Sequence, residues 1–243
     1  MWDVVVFSES QDASAGFTAF APVSDDVYAT SGDDLYIKRS ARYLIGAFAF
    51  GETVARARVV TPSMGSLERE VPIFRTFGNI RLVDLPHFRK PDLLEENEPL
   101  NFYIQNGAAE QDYGVVLLSS VPRLSKGNWD LVMRFTGSTT LTANAWTKVS
   151  LTPDITLPEG RYRIVGFIPI SANGIVARIV PVEGARRPGF ICARTEYDAL
   201  SKSLDNWLAD TGIVFTPRTV PKIEFLSAAA DTSETVIMFL KRV

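Results

Sequence analysis

The sequence predicts an all-β protein built as two tandem β-sandwiches, and three observations predict it. The first is an internal echo. Arg42–Pro62, RYLIGAFAFGETVARARVVTP, reappears 119 residues later as Arg161–Pro181, RYRIVGFIPISANGIVARIVP, in a chain of 243. Both segments open on Arg-Tyr, cross a polar turn and return through Ala-Arg-(Val/Ile)-Val to a proline, the signature of a duplicated strand–turn–strand unit. The second is collinearity of further anchors. Trp2-Asp3-Val4-Val5-Val6-Phe7 answers Trp129 to Phe135, and Leu100-Asn101-Phe102-Tyr103 answers Ile223-Glu224-Phe225-Leu226. The small-residue turn Gly107-Ala108-Ala109-Glu110 answers Ala228-Ala229-Ala230-Asp231, and Val115-Val116-Leu117-Leu118 answers Val236-Ile237-Met238-Phe239. The third is strand number: each half shows about eight short strand-like runs bounded by turn residues. Eight antiparallel strands in one compact unit suit a jelly roll, two four-stranded sheets packed face to face. An immunoglobulin-like sandwich has a similar count, and a helix expected between the sixth and seventh strands of the second half favours the jelly roll. The expectation is therefore two tandem eight-stranded jelly-roll β-sandwiches, residues 1–122 and 123–243, with one helix in the second.

The elements follow in order. Trp2 to Phe7 reads as a strand closed by the polar run SESQDASAG, and Phe17 to Pro22, Asp26 to Thr30 and Leu35 to Lys38 as short strands around the turn Ser31-Gly32-Asp33-Asp34. Arg42 to Phe50 is apolar at nearly every position, which predicts a strand covered on both faces, by the sister sandwich or by a neighbouring subunit. After the turn at Gly51-Glu52, Val54 to Val60 alternates, Arg56 and Arg58 on one face and Ala55, Ala57 and Val59 on the other. A turn of helix is expected at Ser66 to Glu70, then strands at Asn79 to Leu85, Leu100 to Gln105 and Gly114 to Ser120. Val121 to Asn128, with its proline and glycine, reads as the linker.

The second half repeats the order: Trp129 to Thr136, Leu141 to Leu151, Ile155 to Leu157, Arg161 to Ile170 and Ile175 to Val182. Pro169 cannot donate to a ladder, which predicts an edge or a bulge there. In Arg194 to Ala209, Tyr197, Leu200, Leu204, Trp207 and Leu208 recur at helical spacing with charged residues between, and Thr211-Gly212 ends the pattern. Strands at Ile213 to Thr216, Lys222 to Ser227 and Thr235 to Lys241 complete the half.

Composition narrows the function. Apolar residues at 46% and charged residues at 22% describe a globular protein. No run approaches the ~18 apolar residues of a membrane helix. The start, MWDVVVFSES, lacks the basic segment of a signal peptide. A net charge of −3 argues against a protein that coats nucleic acid, which must neutralise phosphates. The short basic pairs Arg186-Arg187 and Lys241-Arg242 read as solvated surface or ion-pair partners.

The search for chemistry gives no catalytic, cofactor-binding or metal-ligating residue. Metal centres in this kind of sandwich take two or three histidines, and the chain has one, His87, in a proline-rich loop without a nucleophile-elbow serine. Cys192 reads as a small buried residue. Glu95, Glu96 and Glu98 read as a solvated loop face, Asn173-Gly174 as a turn, and Trp129, Trp146 and Trp207 as core. A two-carboxylate hydrolase would need an acidic pair in context, and no pair stands out.

Two jelly rolls in tandem resemble the double-jelly-roll major capsid proteins of tailless icosahedral viruses, the adenovirus-like lineage. The segment Leu157 to Gly189, LPEGRYRIVGFIPISANGIVARIVPVEGARRPG, is also similar to phage capsid sequences. The resemblance implies a non-enzymatic structural protein of the virion, made in the host cytoplasm, without cofactors. It implies homotrimers whose six sandwiches form a pseudo-hexameric tile of an icosahedral shell, with neighbouring capsomers and minor capsid or membrane proteins as partners. The chain is compact for that family, with little room for tower loops. The alternatives are a carbohydrate- or receptor-binding sandwich, as in a virion spike, marked by a shallow Trp and Tyr cluster, and a two-barrel hydrolase, marked by close buried carboxylates.

Overall fold

The computed structural model describes residues 2–65, 69–74, 87–182, 187–195 and 207–243, His87 by its backbone. They divide into two compact units, Asp3–Arg123 and Leu124–Val243 together with Trp2.

The N-terminal unit holds β1 (Trp2–Gln11), β2 (Thr18–Phe20), β3 (Thr30–Ser31), β4 (Asp34–Tyr36), β5 (Tyr43–Phe50), β6 (Val54–Val60), β7 (Arg69–Glu70), β8 (Ile73–Phe74), β9 (His87–Leu93), β10 (Pro99–Asn106) and β11 (Glu110–Ser119). One sheet runs β1-β11-β5, with β8 and β9 both on the far side of β5. The other carries β2 and β4 on one edge of β10, then β6 and β7. Counting β2 with β4 as one position and leaving out the short β3 and β8, the strands read 1-8-3-6 in one sheet and 2-7-4-5 in the other. That is the jelly-roll order. Alternate residues face inward, so β10 shows Leu100, Phe102 and Ile104 buried between half-buried neighbours. They pack with Val5, Phe7, Phe20, Leu44, Ala47, Val59, Val116 and Leu118 in one core.

The C-terminal unit holds β12 (Leu131–Thr136), β13 (Trp146–Val149), β14 (Thr152–Pro153), β15 (Tyr162–Ile170), β16 (Gly174–Val180), β17 (Gly189–Ile191), β18 (Val214–Phe215), β19 (Lys222–Ser227) and β20 (Thr235–Arg242). Its sheets run β14-β12-β20-β15-β18 and β13-β19-β16-β17. Setting the two-residue β14 aside, the order is again 1-8-3-6 and 2-7-4-5. Phe190 lies at its centre, 4.8 Å from Phe167, 5.5 Å from Trp2 and 5.9 Å from Trp207 between ring centroids, all edge-on.

The two units share backbone irregularities as well as strand order. In β5, Leu44 pairs with Leu118 and Gly46 with Leu117, so Ile45 is an extra residue. In β15, Ile164 pairs with Leu240 and Gly166 with Phe239, so Val165 is the extra residue. A second bulge falls at Ala55 of β6 and Ile175 of β16, skipped between Val54 and Arg56 and between Gly174 and Val176. Each bulge turns two consecutive residues to one side. This is why Ala55 is exposed beside Arg56, against the simple alternation expected from the sequence.

The bulges also correct the alignment of the halves. They place Arg42 where Tyr162 stands, one residue off the match of the Arg-Tyr pairs. Phe102 pairs with Val59 and Ile223 with Ile179, so these two correspond, two residues off the match in the text. Trp2 and Trp129 differ in setting. Trp2 is wholly buried and donates its Nε1–H to Gly189 O at 3.1 Å, whereas Trp129 is 39% exposed against Phe239.

Every residue from Leu44 to Phe50 is buried, as the two-faced strand requires. That burial is complete within the single chain, with Phe74 of β8 packing on Phe48 and Phe50. A neighbouring subunit is not needed to cover it. Pro169 pairs with Val236, and its carbonyl, on the same side as its missing N–H, accepts from Ala193 N. The lost donor therefore points away from β20, toward the side where Ala193 bridges Ile170 in place of a full strand.

Other expectations are corrected. Ile155 to Leu157 forms no strand: Ile155 is 72% exposed between two prolines, and the short strand is Thr152–Pro153. The helical turn near residue 66 lies earlier, as a 3-10 turn at Pro62–Met64, and Arg69–Glu70 pairs with β6 as a strand. Residues 196–206 of the expected helix lie outside the described residues, as do Ser66 and Asn79 to Leu85. That segment joins the fifth and sixth strands of its unit, β17 and β18, rather than the sixth and seventh. Arg194 and Thr195 form a bend, and Leu208 and Ala209 belong to no regular element.

Candidate functional site

The sequence marks no catalytic residue, and the structure shows what its singled-out side chains do instead. His87 heads β9, its backbone paired with Gly46. Glu98 is buried and accepts hydrogen bonds from Ser63 N at 2.8 Å and Glu95 N at 2.7 Å, so it ties two loops together rather than facing solvent. Glu95 pairs with Arg42 at 3.0 Å. Arg187 is buried, which leaves only the ion-pair half of its expected roles, whereas Arg242 is exposed and donates to Glu159 O. Trp207 is core, and Trp146 is half-buried under the Arg178 guanidinium, 3.8 Å from its ring centroid. Cys192 is buried, and burial together with the nearby Asp231 and Glu234 carboxylates pushes its thiol well up. Among the described residues no three His, Cys, Asp or Glu side chains gather as metal ligands.

One arrangement the sequence reading missed occurs twice. It lies where the turn between the third and fourth strands meets the turn between the seventh and eighth. In the N-terminal unit Glu110 accepts from Glu52 N at 3.0 Å, from Thr53 N at 2.6 Å and from Thr53 Oγ1 at 3.0 Å. Two residues on, Asp112 is wholly buried; its Oδ2 accepts from Asn106 Nδ2 at 2.6 Å, while Oδ1 meets no donor. In the C-terminal unit Asp231 accepts from Ser171 Oγ at 2.7 Å, from Asn173 N at 3.2 Å and from Thr232 N at 2.8 Å. Three residues on, Glu234 is 1% exposed and neither carboxyl oxygen meets a donor.

Pairing register shows that the two places correspond. Asp112 precedes Tyr113, which pairs with Phe50 at the end of β5, and Glu234 precedes Thr235, which pairs with Ile170 at the end of β15. The backbone repeats the match: Gly107 N donates to Thr53 O at 2.9 Å and Ala228 N to Asn173 O at 3.0 Å. Burial, then the neighbouring Glu110 carboxylate, raises Asp112 to about 8. Burial, with the Asp231 charge, raises Glu234 to about 7. Asp231 itself is held below the usual range by its hydrogen bonds, which outweigh its partial burial. One signal lay in the sequence: the matched small-residue turns each end on an acid, Glu110 and Asp231.

Among the described residues the C-terminal unit exposes Trp129, Val132, Ile155, Val182, Val214 and Val243, and the N-terminal unit exposes Leu93 and Val121. Val132 lies on β12, whose outer neighbour β14 pairs with only Phe135 and Thr136.

No family model matches the chain, and no curated protein matches it. Among solved structures it is similar to the major capsid protein P2 from Bacteriophage PM2, at 12% identity over 100% of this chain and 98% of that one, with a TM-score of 0.25.

Proposed function

We propose that the chain is a viral major capsid protein, arisen by duplication of one jelly roll and assembling as a homotrimeric, pseudo-hexameric tile of an icosahedral shell. The observation that carries the proposal is the pair of sandwiches in one chain with the same strand order and the same two bulges. A subunit with two similar but unequal sandwiches makes heterologous contacts, which either close into a ring or run on without end. Three such subunits close at six near-equivalent positions, the number that paves a plane. The different settings of Trp2 and Trp129 and of Arg58 and Arg178 supply the inequality. Val132, beside Trp129 on a thinly flanked strand, is the candidate subunit contact. Neighbouring tiles and minor capsid or membrane proteins are the expected partners.

The carbohydrate-binding alternative is less well supported, because Trp2 and Trp207 are buried and Trp146 lies under an arginine. The hydrolase alternative asks for close buried carboxylates. Those present each sit inside one unit, with the outer member's acceptors taken up largely by a turn backbone. Mass measurement at micromolar concentration, followed by electron microscopy of the expressed protein, tests the proposal. Trimers of hexagonal outline are expected. A strict monomer that forms no trimer in any particle overturns the shell role.

A further inference from the structure

We infer that each unit carries, where its two turns meet, a two-carboxyl latch: the outer carboxylate holds the turn, and the inner carboxyl must keep its proton for the latch to stay closed. The inference rests on geometry that occurs twice, independently of the shell reading. Glu110 and Asp231 are acceptors whose oxygens receive the N–H groups of Thr53 and Asn173, equivalent residues of the two turns. Asp112 Oδ1 and both oxygens of Glu234 are buried without a donor. A buried carboxylate in that state is costly, and a carboxyl group beside a carboxylate can bond to it only by donating its own proton. Glu110 is the hydrogen-bonding neighbour of Asp112, and Asp231 the charged neighbour of Glu234.

The other groups facing each latch do not replace the proton. Around Asp112 they are Asn106 from β10, uncharged, and Tyr113, whose hydroxyl is itself pushed far up by burial and by Asp112. Around Glu234 they are Ser171 from the turn after β15, through Asp231, and Cys192 after β17, a neutral thiol. No Lys, Arg or His is a neighbour of either inner carboxyl among the described residues.

Loss of the proton to solvent then leaves two adjacent carboxylates in each unit, one of them buried. The inner groups are raised, to about 8 and about 7, above their ordinary values of 3.8 and 4.5. Their stabilisation is therefore complete below those ordinary values and declines as pH rises. It is gone once pH has passed about 8 for Asp112 and about 7 for Glu234. The latch opens on the alkaline side.

Asp112→Asn and Glu234→Gln keep the shape and the donor of the protonated form. Denaturation midpoints of wild type and of the double variant, measured from pH 5 to pH 9, test the latch. The expected result is a gap that grows in the variant's favour with pH and levels off at the alkaline end. The ratio of unfolding constants should widen by up to about tenfold per pH unit for each carboxyl. In wild type, exchange of the Thr53 and Asn173 amides should rise with pH more steeply than base catalysis alone requires. Parallel curves overturn the latch. Should the variants not fold, carboxyl-carbon titration of wild type decides: two groups titrating near neutrality support it, and every carboxyl titrating below about pH 5 overturns it.

Discussion

Arg58 and Arg178 stand at the same point of the two units, on the fourth strand opposite the seventh and under an aromatic ring from the region of the second. Arg178 pairs across the ladder with Glu224, binds its carboxylate from Nε at 2.8 Å and lies 3.8 Å from the Trp146 centroid, only 1% exposed. Lys148 meets the other oxygen of Glu224 at 3.5 Å. Arg58 pairs with Tyr103, lies 3.9 Å from the Phe17 centroid and 5.2 Å from that of Tyr103, and stays partly exposed. The two sites keep one backbone and one cation. They differ in what the seventh strand sets opposite, a carboxylate at Glu224 and a phenol ring at Tyr103. Backbone irregularities outlast side-chain chemistry here because a bulge sets the register of a whole strand, whereas one side chain can change alone.

The largest test of that difference removes the opposing residue in each unit. Glu224→Ala removes the carboxylate that binds the buried Arg178 across the ladder and should cost about 3–5 kcal/mol. Tyr103→Ala removes one partly exposed face of a cation–aromatic stack and some packing, and should cost about 1 kcal/mol. Chemical denaturation of both variants measures the contrast. Equal losses would mean that the arginine sites are energetically the same despite the ion pair.

The same physics explains what the sequence made legible. Paired long strands announce themselves by apolar runs and turn residues, so β5, β6, β15, β16 and the duplication could be read. The register could not. Ile45 and Val165 are apolar like their neighbours, and nothing in their chemistry marks them as extra residues. A match slid by two keeps every side chain on its own face, which is how Leu100 to Tyr103 came to be set against the wrong residues of β19. Two-residue strands such as β7, β8 and β14 are held by backbone pairing and carry too little pattern to read. The latches were hidden for a related reason. Glu110 binds backbone N–H groups of a turn 57 and 58 residues away, and acids in polar turns look like solvent-facing charge.

A second test uses the turns. Gly51 and Ser171 occupy the same place, yet only the second has a side chain. A Cβ on Gly51 would run into the Asp112 carboxyl and the Val54 side chain. Gly51→Ala should therefore cost about 1–3 kcal/mol through overpacking. Ser171→Ala loses the hydroxyl bond to Asp231 and should cost about 1 kcal/mol. Thermal melts rank the two. A harmless Gly51→Ala would show that the N-terminal turn has slack that its twin lacks.

The smallest effect comes from the partly exposed arginine itself. Arg58→Lys keeps the charge but loses the planar guanidinium that lies on Phe17 and Tyr103, and a lysine ammonium stacks less well on a ring. At a partly exposed site the stack contributes about 0.5–1 kcal/mol, so the loss should fall within that range. Part of it should depend on salt, because Glu70 of β7 pairs with Arg58 across the ladder on the other side. The Arg178 site behaves differently: its carboxylate neighbour makes geometry decisive, and Lys there would lose the Nε bond as well as the stack. Denaturation of Arg58→Lys at low and at high salt separates the two cases. A loss that disappears entirely in high salt would mean that Arg58 acts through its charge and not through the stack, and the two arginine sites would then be alike in chemistry as well as in place.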